Sequence, residues 1–304
     1  MDKILILGAK GFTGRHFLKF LKKSKIKSKN YSIDIAEKRV NESENFYRVN
    51  LLKKKEIFEF LKKFKPDLVF NFIGLNFSND LHELIKINII TVENLFASIN
   101  EIKNYSPKIL LIGSAAEYGI VNDSDLPVNE TCKRKPISNY GLSKVFLDKL
   151  AEKYILNSKI RIYRAKPFNI IGPGQSENLV TGSISSQIEK IRKGLQPYEL
   201  YVGNLEAERD FIDIRDVVAA YWKIMNSNFS GEVFNIGSGK PIKIRNVVEN
   251  FIKFSGLNIK VVKKRKLIKT IDIPSIYADI KKIRKLLKWK PEITLEQSIK
   301  DTLN

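Results

Sequence analysis

Apolar positions along the chain follow two rhythms. Short, nearly continuous apolar runs at 4–7, 31–35, 67–73, 109–112 and 160–163 have the length and flanks of buried strands. Between them, 12–23, 53–64, 81–100 and 143–154 carry apolar residues three and four apart, as an amphipathic helix does. Strands buried on both faces and separated by amphipathic helices predict an α/β fold built on a doubly wound parallel sheet. After Phe168 the rhythm loosens into Gly, Pro, Asn and Ser. Helices are predicted there at 183–193, 213–225, 244–254 and 294–303, with strands at 200–202 and 233–236. This change predicts two parts: a first domain over 1–165 to which 206–236 returns, and a smaller C-terminal α/β lobe over 166–205 and 237–304.

Composition narrows the class. A chain of 304 residues with 43% apolar content can bury a large core. No apolar run approaches the roughly 20 residues of a spanning helix. The Met-Asp-Lys start runs directly into a strand, which predicts no secretory leader. One cysteine, Cys132, forms no internal disulfide, so a cytoplasmic setting is expected. With only His16 and His82 beside it, no thiolate or histidine metal set is expected. The net charge of +21 is mostly lysine scattered over helices, the pattern of solvated faces, and it also draws anionic substrates. Nucleic-acid binding rests on charge alone and is not expected; the densest cluster, 260–269, is the one place open to a polyanion.

Two motifs carry chemistry. Gly8-Ala9-Lys10-Gly11-Phe12-Thr13-Gly14 lies between the first strand and first helix. Its G-x-x-G-x-x-G spacing gives a tight turn, a close approach for phosphate, and helix–strand packing, with a helix N-terminus to receive a pyrophosphate. Asp34, at the end of the second strand, can accept both hydroxyls of a ribose and repels a 2′-phosphate. That favours NAD over NADP, although Lys38 and Arg39 nearby could hold the phosphate. The second motif, Tyr140-Gly141-Leu142-Ser143-Lys144, sets a phenol and an amine four apart on one helix face. A neighbouring ammonium brings the phenol's pKa toward the working range. Ser114, just past the 109–112 strand, stands at the sheet edge where such folds bind ligands.

In this order, glycine loop, Ser114, Tyr140 and Lys144 resemble the extended short-chain dehydrogenase/reductase family of nucleotide-sugar epimerases, dehydratases and reductases. The resemblance spans nearly the whole chain and implies a Rossmann sheet, NAD or NADP as cofactor, and Ser114, Tyr140 and Lys144 as catalytic triad. It also implies cofactor contacts from Gly8, Lys10, Gly11, Phe12, Thr13, Gly14, Asp34, Ile35, Asn50, Leu51, Phe72, Ile73, Gly74, Asn88 and Pro167, besides Tyr140 and Lys144. Arg164-Ala165-Lys166-Pro167-Phe168-Asn169 looks like the segment whose Asn meets the diphosphate-sugar. The run 202–217 and the Trp289-Lys290-Pro291 stretch are similar to the branch that reduces GDP-linked 4-keto-6-deoxy-mannose. Substrate contacts implied are Ser114, Ala115, Asn169 and Arg209; Lys190, on the helix after the Gly-Pro-Gly turn, is a second candidate phosphate contact, the alternative being a solvent-facing lysine. Arg209 suits a bidentate diphosphate contact; the alternative is an ion pair with Asp210 or Asp213.

Dehydratases of this family carry an Asp-Glu pair where Ala115 and Ala116 stand here, so elimination of water is not expected. A nucleotide-sugar 4-epimerase that retains its NAD is a second possibility, and a non-catalytic dinucleotide sensor a third, which Tyr140 and Lys144 argue against. Departures from the family pattern include Asn139 before the Tyr, Asn50 where an Asp is frequent, and Asn71-Phe72-Ile73-Gly74 in place of His-Leu-Ala-Ala. The helices at 81–100 and 143–154 occupy the places of the family's four-helix interface, implying a homodimer.

Overall fold

The computed structural model describes residues 2–34, 45–267 and 272–304. Its central sheet has seven strands in the order β11-β6-β5-β4-β1-β2-β3. These are β1 (Asp2–Leu7), β2 (Ser28–Ile33), β3 (Phe46–Tyr47), β4 (Leu68–Asn71), β5 (Lys108–Ile112), β6 (Arg161–Pro167) and β11 (Val233–Ile236). Every pairing from β3 across to β6 is parallel. β1 pairs with β2 on one side and β4 on the other, so the strand order reverses there, at the position where doubly wound sheets bind ligands.

Helices cover both faces. Leu5, Leu7, Val69, Ile109, Leu111 and Ile162 point to one side and are covered by Ile57 and Leu61 of α2 (Lys54–Phe64), Phe96 and Ile99 of α4 (Thr91–Glu101), and Leu147 and Ala151 of α5 (Asn139–Asn157). An aromatic cluster fills the other side. Phe17 of α1 (Phe12–Lys23) lies 4.3 Å from Phe70, which stacks on Trp222, while Phe72 stacks on Tyr221. Rings of this size bury 150–250 Å² each, so the cluster holds α1 firmly against the sheet.

Chain contacts divide the molecule into two units: Met1–Gly119, Lys133–Lys166 and Val218–Phe234 form one, and Ile120–Cys132, Pro167–Val217 and Asn235–Asn304 the other. The sequence rhythm placed 206–217 with the first unit, whereas the structure groups it with the second. There β10 (Phe211–Asp213) pairs with β7 (Asn169–Ile171), and Asp213 accepts a hydrogen bond from Ser298 at 2.6 Å. The excursion at 120–132 has no hydrophobic signature; Val128 exchanges backbone bonds with Tyr277 and Asp279.

The second unit packs Ile184 and Ile188 of α6 (Val180–Arg192), Leu200 of β8 (Glu199–Val202), Val247 and Phe251 of α8 (Ile244–Ser255) and Ile299 of α10 (Leu295–Leu303) into its own core. Asp210 is fully buried and knots this unit. Its carboxylate accepts from the N–H groups of Ser238, Gly239 and Ala278 and from the Ser238 hydroxyl.

The stretch 81–100, expected as one helix, is α3 (Leu81–Ile85), a π-helical turn (Lys86–Ile90), and α4. The turn carries Asn88 into the interior, and such insertions gather at functional sites.

Candidate active site

The glycine loop leaves β1 at its C-terminal end and enters α1. Gly8 has φ +76°, a left-handed conformation that costs glycine nothing, and a Cβ there would lie 3.0 Å from the backbone at Phe72 and Ile73. Gly14 sits against the loop it follows: a Cβ would lie 2.7 Å from Ala9 Cα and closer still to the Gly8 carbonyl. Gly11 occupies the N-cap of α1 and has no side chain to cap it, so the first turn keeps its positive end open to an anion. Phe12 and Thr13 form that turn. The loop therefore fits a dinucleotide pyrophosphate.

Asp34 follows β2 and is buried. One carboxylate oxygen accepts the Lys10 N–H at 3.0 Å, which ties the end of β2 to the loop. Ile35, Lys38 and Arg39 lie outside the described residues. Asn50 is committed to local structure, its N–H to Glu56 and its side-chain oxygen to the Leu52 N–H, while Leu51 is buried and its carbonyl accepts from Asn94. Phe72, Ile73 and Gly74 leave β4 beside the loop: the Phe72 N–H donates to the Leu7 carbonyl, and the Ile73 N–H to Asn71. A Cβ on Gly74 would lie 3.5 Å from Lys144 Nζ, which brings this exit next to that ammonium.

Asn88 acts as a strut. Its side-chain oxygen accepts the Leu75 N–H at 2.8 Å, and its amide hydrogens go to the Leu75 carbonyl and Ser143 Oγ, each at 3.0 Å. That amide is committed within the protein, so its placement fastens the 72–75 segment to α5; the contact expected from Asn88 to a cofactor is not what its bonding offers.

α5 starts at Asn139 because Ser138 caps it, accepting the Gly141 N–H at 3.1 Å. Tyr140 thereby enters the first turn, and Lys144 follows one turn later. The Lys144 ammonium lies 5.7 Å from the centre of the Tyr140 ring and donates to the Ile112 carbonyl, at the end of β5, at 2.8 Å. Burial lowers its pKa to about 8, and the Glu117 carboxylate works against that shift. Ser114, two residues past β5, hydrogen-bonds the Tyr140 hydroxyl. Burial raises the phenol to about 12 against the effect of this bond, so Tyr140 is protonated at neutral pH. Ser114, Tyr140 and Lys144 thus converge beside the 72–74 segment and the end of β5.

Ser114 is itself held by a capping box. Its Oγ accepts the Ala116 N–H at 3.1 Å, and Glu117 Oε1 accepts the Ser114 N–H at 2.9 Å, around a 3₁₀ turn over Ala115–Glu117. Sequence reasoning passed over Glu117. A lone carboxylate in the apolar setting of 109–118 was the available signal.

In the second unit, Asn169 opens β7, and both its N–H and its side-chain amide donate to the Asp210 carbonyl. Pro167 closes β6. Lys190 is an exposed residue of α6 paired with Glu177 at 3.1 Å. Arg209 does not pair with Asp210 or Asp213. It binds the Asp272 carboxylate at 2.8 Å and the carbonyls of Glu208 and Ile273 at 2.7 Å, because Asp210 and Asp213 are already committed to Ser238 and to Arg215. Asn169 and Arg209 share this unit; Lys190 is held at its surface.

Comparison with known proteins identifies the family. Residues 4–237 match the model of the NAD dependent epimerase/dehydratase family. The chain is 29% identical to the GDP-6-deoxy-D-mannose reductase of Pseudomonas aeruginosa, over 79% of this chain and 80% of that protein. It is 27% identical to the UDP-glucose 4-epimerase of Mycoplasma genitalium, over 99% of this chain and 95% of that one. Among solved structures, RMD from Pseudomonas aeruginosa complexed with NADPH superposes with a TM-score of 0.87 at 26% identity, covering all of this chain and 98% of that one. The chain belongs to the NAD dependent epimerase/dehydratase family and is an NAD(P)-dependent enzyme of the extended short-chain dehydrogenase/reductase type, with the seven-stranded sheet that fold carries.

Proposed function

We propose that the protein reduces the C4 keto group of a nucleoside-diphosphate 4-keto-6-deoxy sugar, with GDP-4-keto-6-deoxy-mannose as substrate and GDP-6-deoxy-mannose or its C4 epimer as product. The observation that carries this is the hydrogen-bonded pair Ser114–Tyr140 over Lys144, followed by two residues, Ala115 and Ala116, with no acid or base to eliminate water. The likeness to the Pseudomonas reductase supports the GDP-linked substrate.

In this scheme the glycine loop, Asp34 and Lys144 hold the dinucleotide, and the Asp34 carboxylate favours NAD(H) by disfavouring a 2′-phosphate. Bound in reduced form, the dinucleotide supplies the hydride for C4. Ser114 donates a hydrogen bond that polarises the C4 carbonyl. Tyr140, protonated at neutral pH, gives its proton to O4 as that oxygen gains charge. The Lys144 ammonium stabilises the phenolate left behind. Asn169 and Arg209 anchor the diphosphate, so binding energy remote from C4 orients it for reaction. The substrate field is helped by the +21 charge.

Mixing the purified protein with GDP-4-keto-6-deoxy-mannose and NADH or NADPH is expected to consume nicotinamide absorbance. No consumption with either cofactor would reject the substrate. Similarity to 4-epimerases favours a second reading, in which NAD stays bound and no added cofactor is needed; mass spectrometry of the purified protein for retained NAD separates the two. Among the described residues no helix is long and apolar enough to cross a membrane, and the enzyme is proposed to work in the cytoplasm. It is also proposed to be a homodimer, since Ile90 and Phe146, on the two helices of the family interface, are each 42% exposed. Light scattering on the purified protein reads the mass.

A further inference from the structure

Behind the triad lies a group of charges that the proposed reaction does not use. Glu117 and Lys166 are 0% and 1% exposed, and their carboxylate and ammonium meet at 2.9 Å. Lys166 Nζ also lies 3.5 Å from Asp148, one turn beyond Lys144 on α5. Asp148 in turn binds Arg164 of β6 at 2.9 Å and Arg134 at 2.6 Å, and Glu152 receives both arginines at the outer end. Removing ions from water is costly, and a buried pair rarely stabilises a fold more than apolar residues of its size would. This pair sits at one place in particular. The other Glu117 oxygen accepts the Ser114 N–H, and a Cβ on Gly113 would overlap that oxygen and lie 3.2 Å from Lys166 Cγ. The residue before Ser114 is thus the one type that admits the carboxylate.

We propose that Glu117 and Lys166 act together as positioning residues for the catalytic cluster: Glu117 fixes the Ser114 backbone and sets the field at Tyr140 and Lys144, and Lys166 holds that carboxylate ionised. The inference rests on the catalytic role proposed for Ser114, Tyr140 and Lys144. The groups facing Glu117 are Lys166 from β6, Tyr140, Lys144 and Asp148 from α5, and the Ser114 N–H from its own turn. Its negative charge raises the pKa of both Tyr140 and Lys144, and burial raises its own against the pull of the Lys166 ammonium. Neither Glu117 nor Lys166 donates to or accepts from the hydroxyls of Ser114 and Tyr140 in the bonds described, so they act through the backbone and the field rather than on substrate.

Two variants separate charge from shape. Glu117→Gln keeps an acceptor for the Ser114 N–H and removes the charge; the double variant Glu117→Gln/Lys166→Met removes both charges at nearly constant volume, and because the lost ammonium offsets the lost carboxylate 2.9 Å away its titrations are expected to move less than those of the single variant. The Tyr140 and Lys144 titrations are followed by NMR on protein labelled with 13C at Tyr Cζ and Lys Cε, without cofactor or substrate, and assigned with Tyr140→Phe and Lys144→Met. Removing the Glu117 charge is expected to move both titrations down by about half a unit or more. In the turnover assay kcat is expected to fall about tenfold in Glu117→Ala, which orphans the Ser114 N–H, with KM within about twofold. Titrations that stay within about 0.2 unit of the parent in folded Glu117→Gln, or in Glu117→Ala where Glu117→Gln does not fold, would overturn the inference. The titration needs no substrate, so it decides the role of Glu117 even if the proposed sugar is not turned over. Conversely, turnover unaffected by Tyr140→Phe would reject the catalytic assignment while leaving the titration result standing.

Discussion

Replacing Gly14 by Ala tests whether the loop is a cofactor cradle or merely a turn. The added Cβ would stand 2.7 Å from Ala9 Cα and 2.8 Å from the Ala9 carbonyl oxygen, where ordinary contact begins at 3.4 Å. All the opposing atoms are backbone, so no side chain can swing aside. The Gly8 carbonyl oxygen stands closer still, so either α1 or the loop must retreat by about 1 Å, and α1 is pinned by Phe17 against Phe70. Overpacking of this kind costs about 1–3 kcal/mol, which for a protein of this size lowers the unfolding midpoint by several degrees. The first-turn N–H groups that face a pyrophosphate move by the same amount, and misplacements approaching 1 Å cost up to about 100-fold. Fluorescence titration with NADH and NADPH, beside a thermal melt of the same preparation, measures both. A roughly 10- to 100-fold weaker Kd with a modestly lowered midpoint is expected. Parent-like affinity for both dinucleotides in a folded Gly14→Ala protein would refute the cradle.

Three further outcomes are expected. Lys144 carries a pKa lowered by burial to about 8, and in the proposed scheme its cationic form does the work, so kcat/KM should be level below about pH 8 and fall as pH rises through it; a profile flat to pH 10 would remove the ammonium from the mechanism. Asp34→Ser deletes the carboxylate proposed to disfavour a 2′-phosphate, and the NADPH-to-NADH affinity ratio should rise about tenfold, roughly 1.4 kcal/mol; an unchanged ratio assigns discrimination elsewhere. Asp210→Asn leaves one oxygen to serve three N–H groups and a hydroxyl, and urea unfolding should show a loss of about 3 kcal/mol; a loss below about 1 kcal/mol would mean that water replaces those bonds.

The parallel sheet was legible because its strands are buried on both faces and so read as apolar runs, and the glycine loop because its geometry admits few other residues. Other features left fainter traces. Strands such as β7 and β10 are three residues long and carry Asn or Asp for reasons of hydrogen bonding, so periodicity passes over them. The π-helical turn in 81–100 leaves the apolar spacing nearly intact, yet it is what turns Asn88 inward. Arg209 pairs with Asp272, 63 residues away, while its sequence neighbours Asp210 and Asp213 turn to other partners, a choice set by tertiary packing. Glu117 and Lys166 each look like surface residues by type; only the sheet register that sets β5 beside β6 brings them together.

The order β11-β6-β5 has a consequence for how the chain emerges during synthesis. β6 is complete at Pro167, but the strand that covers its outer edge begins at Val233. At about 5–20 residues per second that edge stays open for several seconds, a ready template for mispairing with another nascent chain. Arg161, Arg164 and Lys166 lie along that same strand, and charges on an uncovered strand discourage such pairing. Arg164 and Lys166, which end in ion pairs with Asp148 and Glu117, therefore also guard the growing sheet until its last strand arrives.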